Sequence, residues 1–397
     1  MPDQEIRHHH GSHRGLLRPA ADPAPGGPGI DAIIVPTARK PAYLAEVADL
    51  AAALGCPLVT LHSTKWTTAA EAARRLRADV DLIAIDVPPG HGRLNLPDWQ
   101  TSRLLAGTVF ARRTDVSAKR NLALMLSHML GWSRILFLDD DIVKLDPADV
   151  RAAGRLLDTH NAVGLGNDGF PDNSVVCHAY RMAGGPQQVF VGAGALAIEL
   201  ARSRSFFPDI YNDDWFFLLD GDRYLQPTTA TGHVYQYPYD PFRSPDRARG
   251  EELGDVLAEG LYWLLDQDRS IMEADAAHWS MFLARRSQFI RDVLELVERA
   301  VIEPAAEKDR RIAALKGALG RLALIKPAFC EQYLQAWAGD RMRWQLHLDG
   351  LRTGQRRREA IAALSPPGAV PLTRHLREAA RPARRASPSP RRELVGR

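Results

Sequence analysis

The sequence predicts an α/β fold: a mixed sheet flanked by helices, followed by an all-helical C-terminal domain. Three observations carry this. Apolar runs and amphipathic helical segments alternate from residue 30 to 143, the pattern of parallel strands joined by crossover helices. After Asp158, short strand-like pieces alternate with Gly, Pro, Asn and Asp loops. From Glu251 onward the apolar residues recur at helical spacing.

In order, IDAIIVPTAR (30–39) reads as a buried parallel strand and KPAYLAEVADLAAALG (40–55) as a helix stopped by Gly55. PLVTLHS is a second strand, TTAAEAARRLRA a second helix and DLIAIDVP a third strand. SAKRNLALMLSHMLGW (117–132) is a helix ending at Gly131, and SRILFLDDDIV (133–143) a strand running into three carboxylates. NAVGLGN, NSVVCHAY, QQVFVGAGALAIEL and TGHVYQY read as further strand pieces. In EELGDVLAEGLYWLLDQ, Leu253, Val256, Leu257, Leu261, Leu264 and Leu265 make one helical stripe. Further helices are expected at about 275–301, 307–324, 326–338 and 340–362. The predicted division is a disordered N-terminal segment over 1–29, an α/β domain over 30–245, a helical domain over 246–365 and a disordered Arg/Pro-rich tail over 366–397. The histidines at 8–10 and His13 look tag-like and are set aside.

With 397 residues, 45% of them hydrophobic and 25% charged, the chain has the composition of a globular protein. No run approaches the roughly 18 apolar residues of a transmembrane helix. The three cysteines lack metal-ligand spacing and read as reduced thiols; with no apolar secretory segment, a cytoplasmic location is expected. Residues 366–397 hold eight arginines and two glutamates, a surplus larger than the whole chain's +3. The rest is therefore slightly acidic, which argues against nucleic-acid binding by the folded body. The tail reads as solvated, with contact to acidic surfaces as its alternative function.

Asp139, Asp140 and Asp141 follow the apolar ILFL, at the carboxyl end of a strand, where α/β sheets bind ligands. Strand alternation sends Asp139 and Asp141 one way and Asp140 the other. Paired carboxylates there suit magnesium or manganese shared with substrate phosphates. Lys119 and Arg120, near a helix start, suit a diphosphate. Gly192 and Gly194 allow close backbone approach of a ligand. Asn212 or Asp213 can cap a WFFLL helix.

The order of IIVPTAR, SAKRNLAL, DDD, the glycine-rich VGAGA and NDDW resembles family-2-like GT-A nucleotide-sugar glycosyltransferases over residues 30–240. That resemblance implies a GT-A-like fold and a metal-dependent, hexosyltransferase-like enzyme with a nucleotide-sugar donor and an acceptor that the sequence does not identify. It places Thr37, Arg39, Lys119, Arg120 and Asp139 at the nucleotide, and Asp139, Asp141 and a late His233 at the metal. Asp214, with Asp213 beside it, supplies the base; Gly192, Gly194 and Trp215 face the acceptor. Here Asp stands where the family has Glu before Asp-Trp. DDDIV also resembles the nucleophile motif of haloacid-dehalogenase-like phosphatases, with Asp139 as nucleophile, although in that family the strand opens the fold. A non-catalytic interaction protein on a glycosyltransferase scaffold is the third alternative.

Overall fold

The computed structural model describes residues 12–20, 29–64, 66–89, 93–171, 173–220, 224–302 and 304–378. The first half follows the expected alternation: β1 (Ala32–Thr37), α1 (Ala45–Leu54), β2 (Leu58–Ser63), α2 (Ala69–Arg75) and β3 (Leu82–Val87). Next come α3 (Gln100–Leu105), α4 (Val116–Leu130), β4 (Arg134–Leu138), β5 (Ile142–Val143) and α5 (Pro147–Leu156). Gly55 and Gly131 end α1 and α4 with φ of 67° and 75°, the left-handed cap that glycine adopts without a Cβ penalty. Then follow β6 (Ala162–Asn167), α6 (Val175–Met182), β7 (Ala195–Glu199), α7 (Asp213–Leu218), β8 (Leu219–Asp220), β9 (Tyr224–Leu225) and β10 (Thr228–Gln236). The rest is α8 (Pro245–Leu265), α9 (Ala276–Arg299), α10 (Ala305–Leu322), α11 (Pro327–Asp349), α12 (Arg357–Ala362) and β11 (Arg374–Arg377).

Nine strands form one mixed sheet in the order β11-β3-β2-β1-β4-β7-β6-β10-β5. β3, β2, β1 and β4 run parallel; β7 is antiparallel to both β4 and β6. Alternation sorts each strand between two cores. Ala32 and Ile34 join the core under α4 and the C-terminal helices, whereas Ile33 and Val35 join the core under α1, α2 and α5. The C-terminal helices thus cover one face of the sheet and share its apolar interior.

Several expectations change. NSVVCHAY is helix α6, because Ser174 Oγ accepts the Cys177 N–H and caps it. The helices expected at 326–338 and 340–362 become one long α11 and a short α12. Within α11, buried Asp340 accepts the Gln100 and Thr101 N–H groups, which begin α3. The stripe of α8 broadens until the helix is buried nearly all round, acids included.

Both chain ends depart from the expected disorder where they are described. His13 is fully buried: its ring stacks on Tyr262 at 4.5 Å and meets Trp215 edge-on at 4.1 Å. Its Nδ1 accepts the Val191 N–H, and burial lowers its pKa to about 3. Setting it aside as tag-like missed that an aromatic ring can fill an apolar slot. Near the other end, β11 pairs antiparallel with β3, from Arg374 opposite Ile85 to Arg377 opposite Leu82. Unpaired backbone on the edge of β3 supplies the binding surface, so the segment needs no apolar stripe. The remaining parts of those end segments, 1–11, 21–28 and 379–397, lie outside the described residues.

Candidate active site

At Leu138 the strand β4 stops. The Asp139 N–H donates to Gly194 O, and the Ile142 N–H returns to Asp139 O, closing a turn. Strand alternation therefore does not extend through the three carboxylates, and each finds a partner of its own. Asp140 Oδ2 accepts from Thr37 Oγ1 (2.8 Å), the Ala38 N–H (3.0 Å) and the Arg39 N–H (3.1 Å). Its other oxygen pairs with Arg39 Nε at 3.2 Å. Asp140 thus clamps the loop after β1 across the sheet, a role that alternation did not suggest. Asp141 Oδ2 receives Arg39 Nη2 at 2.9 Å, and burial raises its pKa from the usual carboxylate range against the opposing pull of Arg39. Asp139 Oδ1 receives Arg120 Nη2 at 3.1 Å.

The two cations of α4 diverge. Lys119, 2% exposed, donates to Thr37 O at 2.9 Å and to Ser63 Oγ, and pairs with Asp115 at 3.0 Å. Those three bonds match the ammonium's three donors, so Lys119 is a strut between β1, β2 and α4 as well as a wall of the outer cavity. Burial pushes its pKa down, opposed by Asp115. Arg120 points the other way and bridges Asp139 to Asp213, whose Oδ1 it meets at 2.8 Å. Asp213 Oδ2 accepts from Ser117 Oγ at 2.8 Å. The start of α7 is therefore fixed by an ion pair and not by a side-chain cap. Asn212 sits there at φ 61°, and its amide donates to Asp255, a left-handed position that Asn tolerates.

Asp214 Oδ2 accepts the Ala193 N–H at 2.8 Å, and its Oδ1 accepts the Trp215 N–H at 2.9 Å. A Cβ on Gly192 would lie 2.9 Å from Asp214 Oδ2, so any larger residue there would have to displace that carboxylate. At Gly194 the corresponding distance to Asp139 Oδ2 is 3.5 Å, ordinary contact.

Two cavities meet at Asp139. The outer one, 760 Å³, is lined by Thr37, Arg39, Lys119, the three carboxylates after β4, Gln236, Arg243 and Arg247. The inner one, 190 Å³, is lined by Arg120, Asp213, Asp214 and Trp215, with Arg112 and Arg181 further round. Asp139 and Val116 belong to both walls.

His233 is not brought to this site. It is 69% exposed, pairs with Asp168 at 3.0 Å and follows a register shift in β10. The β10 residue that reaches Asp141 is Gln236, whose hydrogen bond favours the ionised carboxylate. Three residues apart on a strand, the two side chains point to opposite faces. Among the described residues, no group of three or more His, Cys, Asp or Glu is placed to hold a metal ion. Asp139 and Asp141 supply hard oxygens, and one or two carboxylates suffice for magnesium when substrate phosphates and water complete the shell.

Sequence reasoning missed several site residues. Arg247 lies over the Tyr239 ring at 4.2 Å and pairs with Glu251 at 2.6 Å. Arg286, 1% exposed, pairs with Glu252, Asp255 and Glu259. Burial raises the pKa of both Glu252 and Asp255 despite that arginine. The available signal was four acids, Glu251, Glu252, Asp255 and Glu259, in turns of α8 otherwise too apolar to face water.

No protein-family model matches the chain, and no curated protein matches it. A solved structure similar to it is a mannosyltransferase from Pyrobaculum calidifontis in complex with GDP-Man and Mn2+. Identity is 15%, over 84% of this chain and 92% of that one, with a TM-score of 0.36. A likeness that loose leaves function to be argued from the site. Among the described residues, no helix is long and apolar enough to cross a membrane.

Proposed function

We propose that this chain is a GT-A-like glycosyltransferase that moves a sugar from a nucleoside-diphosphate donor to an acceptor hydroxyl. One observation carries the reading: a large outer cavity and a small inner one share the carboxylate of Asp139. Transfer between two substrates needs two sites that open on one point. The outer cavity suits the donor. Thr37 and Arg39 form its base and ribose end, and Arg243 and Arg247 face the diphosphate from the helical side. A divalent cation, magnesium or manganese, would be held by Asp141 and Asp139, and would neutralise charge on the departing diphosphate.

The inner cavity suits the acceptor. Its hydroxyl gives its proton to Asp214, and the oxygen bonds to the anomeric carbon. The bond from that carbon to the diphosphate oxygen breaks, its electron pair leaving with the nucleoside diphosphate. Asp214 is oriented for this by the Ala193 and Trp215 N–H groups, and Asp213 and Arg120 position α7 behind it. A base on Asp214 favours inversion. The test is Asp214→Asn, which keeps the shape and removes the proton acceptor. Turnover should fall at least about a hundredfold, with nucleoside-diphosphate affinity within a fewfold of the parent. Normal transfer by this variant would place the base elsewhere.

A further inference from the structure

We propose that the acceptor is a small anion, a hydroxy-carboxylate or hydroxy-phosphate, gripped in the inner cavity by Arg181 and Arg112. The assignment of this anion as an acceptor rests on the transfer reading above; the anion site itself does not. Every acid of the cavity wall already has a partner. Asp139 and Asp213 share Arg120. Asp255 and Glu259 share Arg286, which lies behind the wall. Asp214 accepts two backbone N–H groups. Each acid on the wall thus has a donor.

The two remaining arginines differ. Among the described residues, the Arg181 guanidinium makes no hydrogen bond or ion pair, and its Nε is buried without a partner. Arg112 donates one N–H to Ile210 O and lies 5.9 Å from the Tyr211 ring centroid; among the described residues it has no carboxylate at ion-pair distance, its charge acting on Glu251 from further off. An unpaired, half-buried guanidinium is costly, and its planar fork matches carboxylate or phosphate oxygens. Among the described residues, the guanidiniums of that wall without a carboxylate at ion-pair distance are therefore Arg181 and Arg112. At 190 Å³ the cavity lies below the range of drug-sized pockets, which restricts the ligand to a small molecule. An anion at Arg181 brings its hydroxyl into the same cavity that Asp214 lines.

The experiment is titration calorimetry on the full chain with glycerate, glycerol 3-phosphate and uncharged glycerol, each with and without saturating nucleoside diphosphate and manganese. At least one of the two anions should bind, and the stronger arm identifies carboxylate or phosphate. Glycerol should bind at least about tenfold more weakly, as expected for losing a charge-assisted bond. Arg181→Gln should weaken the anion at least tenfold, and Arg181→Lys should recover part of it. Melting curves identify any variant that fails to fold, in which case Arg112→Gln carries the same comparison. Equal binding of glycerol and both anions, or no binding of any, overturns the inference, as does competition between anion and nucleoside diphosphate. Anion binding without any nucleoside-diphosphate binding would keep the anion site and sink the transfer reading. The reverse pattern would keep the transfer reading and sink the anion.

Discussion

Asp213→Ala and Asp213→Asn separate two roles for the same residue. As a helix cap, Asp213 would cost about 1 kcal/mol on truncation to Ala, and Asn would serve as well as Asp. The structure gives it a different task. Its Oδ1 takes Arg120 Nη1 at 2.8 Å and its Oδ2 takes Ser117 Oγ at 2.8 Å, with both ions of the pair buried. Removing one partner of a buried pair costs about 3–5 kcal/mol. Asp139 remains on Arg120 at 3.1 Å, so Asp213→Ala should fall at the lower end of that range. Asn keeps a carbonyl for Arg120 and can turn its amide to Ser117 as acceptor. It loses only the charge, about 1.5–2 kcal/mol. For 397 residues, an unfolding entropy of roughly 0.8 kcal/mol/K makes each kcal/mol about 1.2 °C of Tm. The expected drops are about 4 °C for Ala and about 2 °C for Asn, measured by calorimetry. In an Arg120→Met background, the cost of Asp213→Ala should shrink by at least about 1 kcal/mol. An unchanged Tm for Asp213→Asn, with a full cap-sized loss for Ala and no coupling to Arg120, would refute the ion-pair argument.

Asp140→Ala removes the acceptor for three donors of the loop after β1; it should weaken nucleoside-diphosphate binding with manganese or with chelator present. Asp141→Ala should abolish only the metal-dependent share, and titration of both variants under both conditions distinguishes them. Truncation after Ser365 removes β11 and bares the edge of β3, so melting temperature should fall and light scattering rise. Truncation after Glu378 keeps the strand and should change neither. His13 is buried neutral with its pKa lowered to about 3 by desolvation. Its contribution is therefore complete above its unfolded value of about 6.5 and is lost as pH falls, by up to about 1.4 kcal/mol per unit. Protection factors over residues 12–20, with the intrinsic pH dependence of exchange divided out, should fall between pH 7 and pH 5 in the parent but not in His13→Phe; an equal fall in both would contradict the burial argument.

Local patterns were legible because they are short-ranged. Alternation marked β1 to β4, glycine marked the ends of α1 and α4, and the apolar run before Asp139 marked a strand end where a site belongs. The same locality misled wherever a partner came from far along the chain. NSVVCHAY looked extended, yet Glu251, 76 residues on, accepts the Val175 N–H and joins the local Ser174 cap in starting a helix. The tail looked free until β3 offered its edge.

At the site, short residue patterns suffice to gather the chemistry-bearing residues at the ends of β1, β4 and the segment before α7. Strand direction and chain reversal follow from patterns a few residues long. What each carboxylate does depends on partners brought together by the fold. Thr37 meets Asp140 across 103 residues, and Arg120 meets Asp213 across 93. Gln236, three residues past His233 on one strand, reaches Asp141 in its place. Arg181 and Arg112 look like ordinary surface charges in the sequence. Among the described residues neither has a carboxylate at ion-pair distance, and pairing is a property of distance in space, which residue spacing along the chain does not encode.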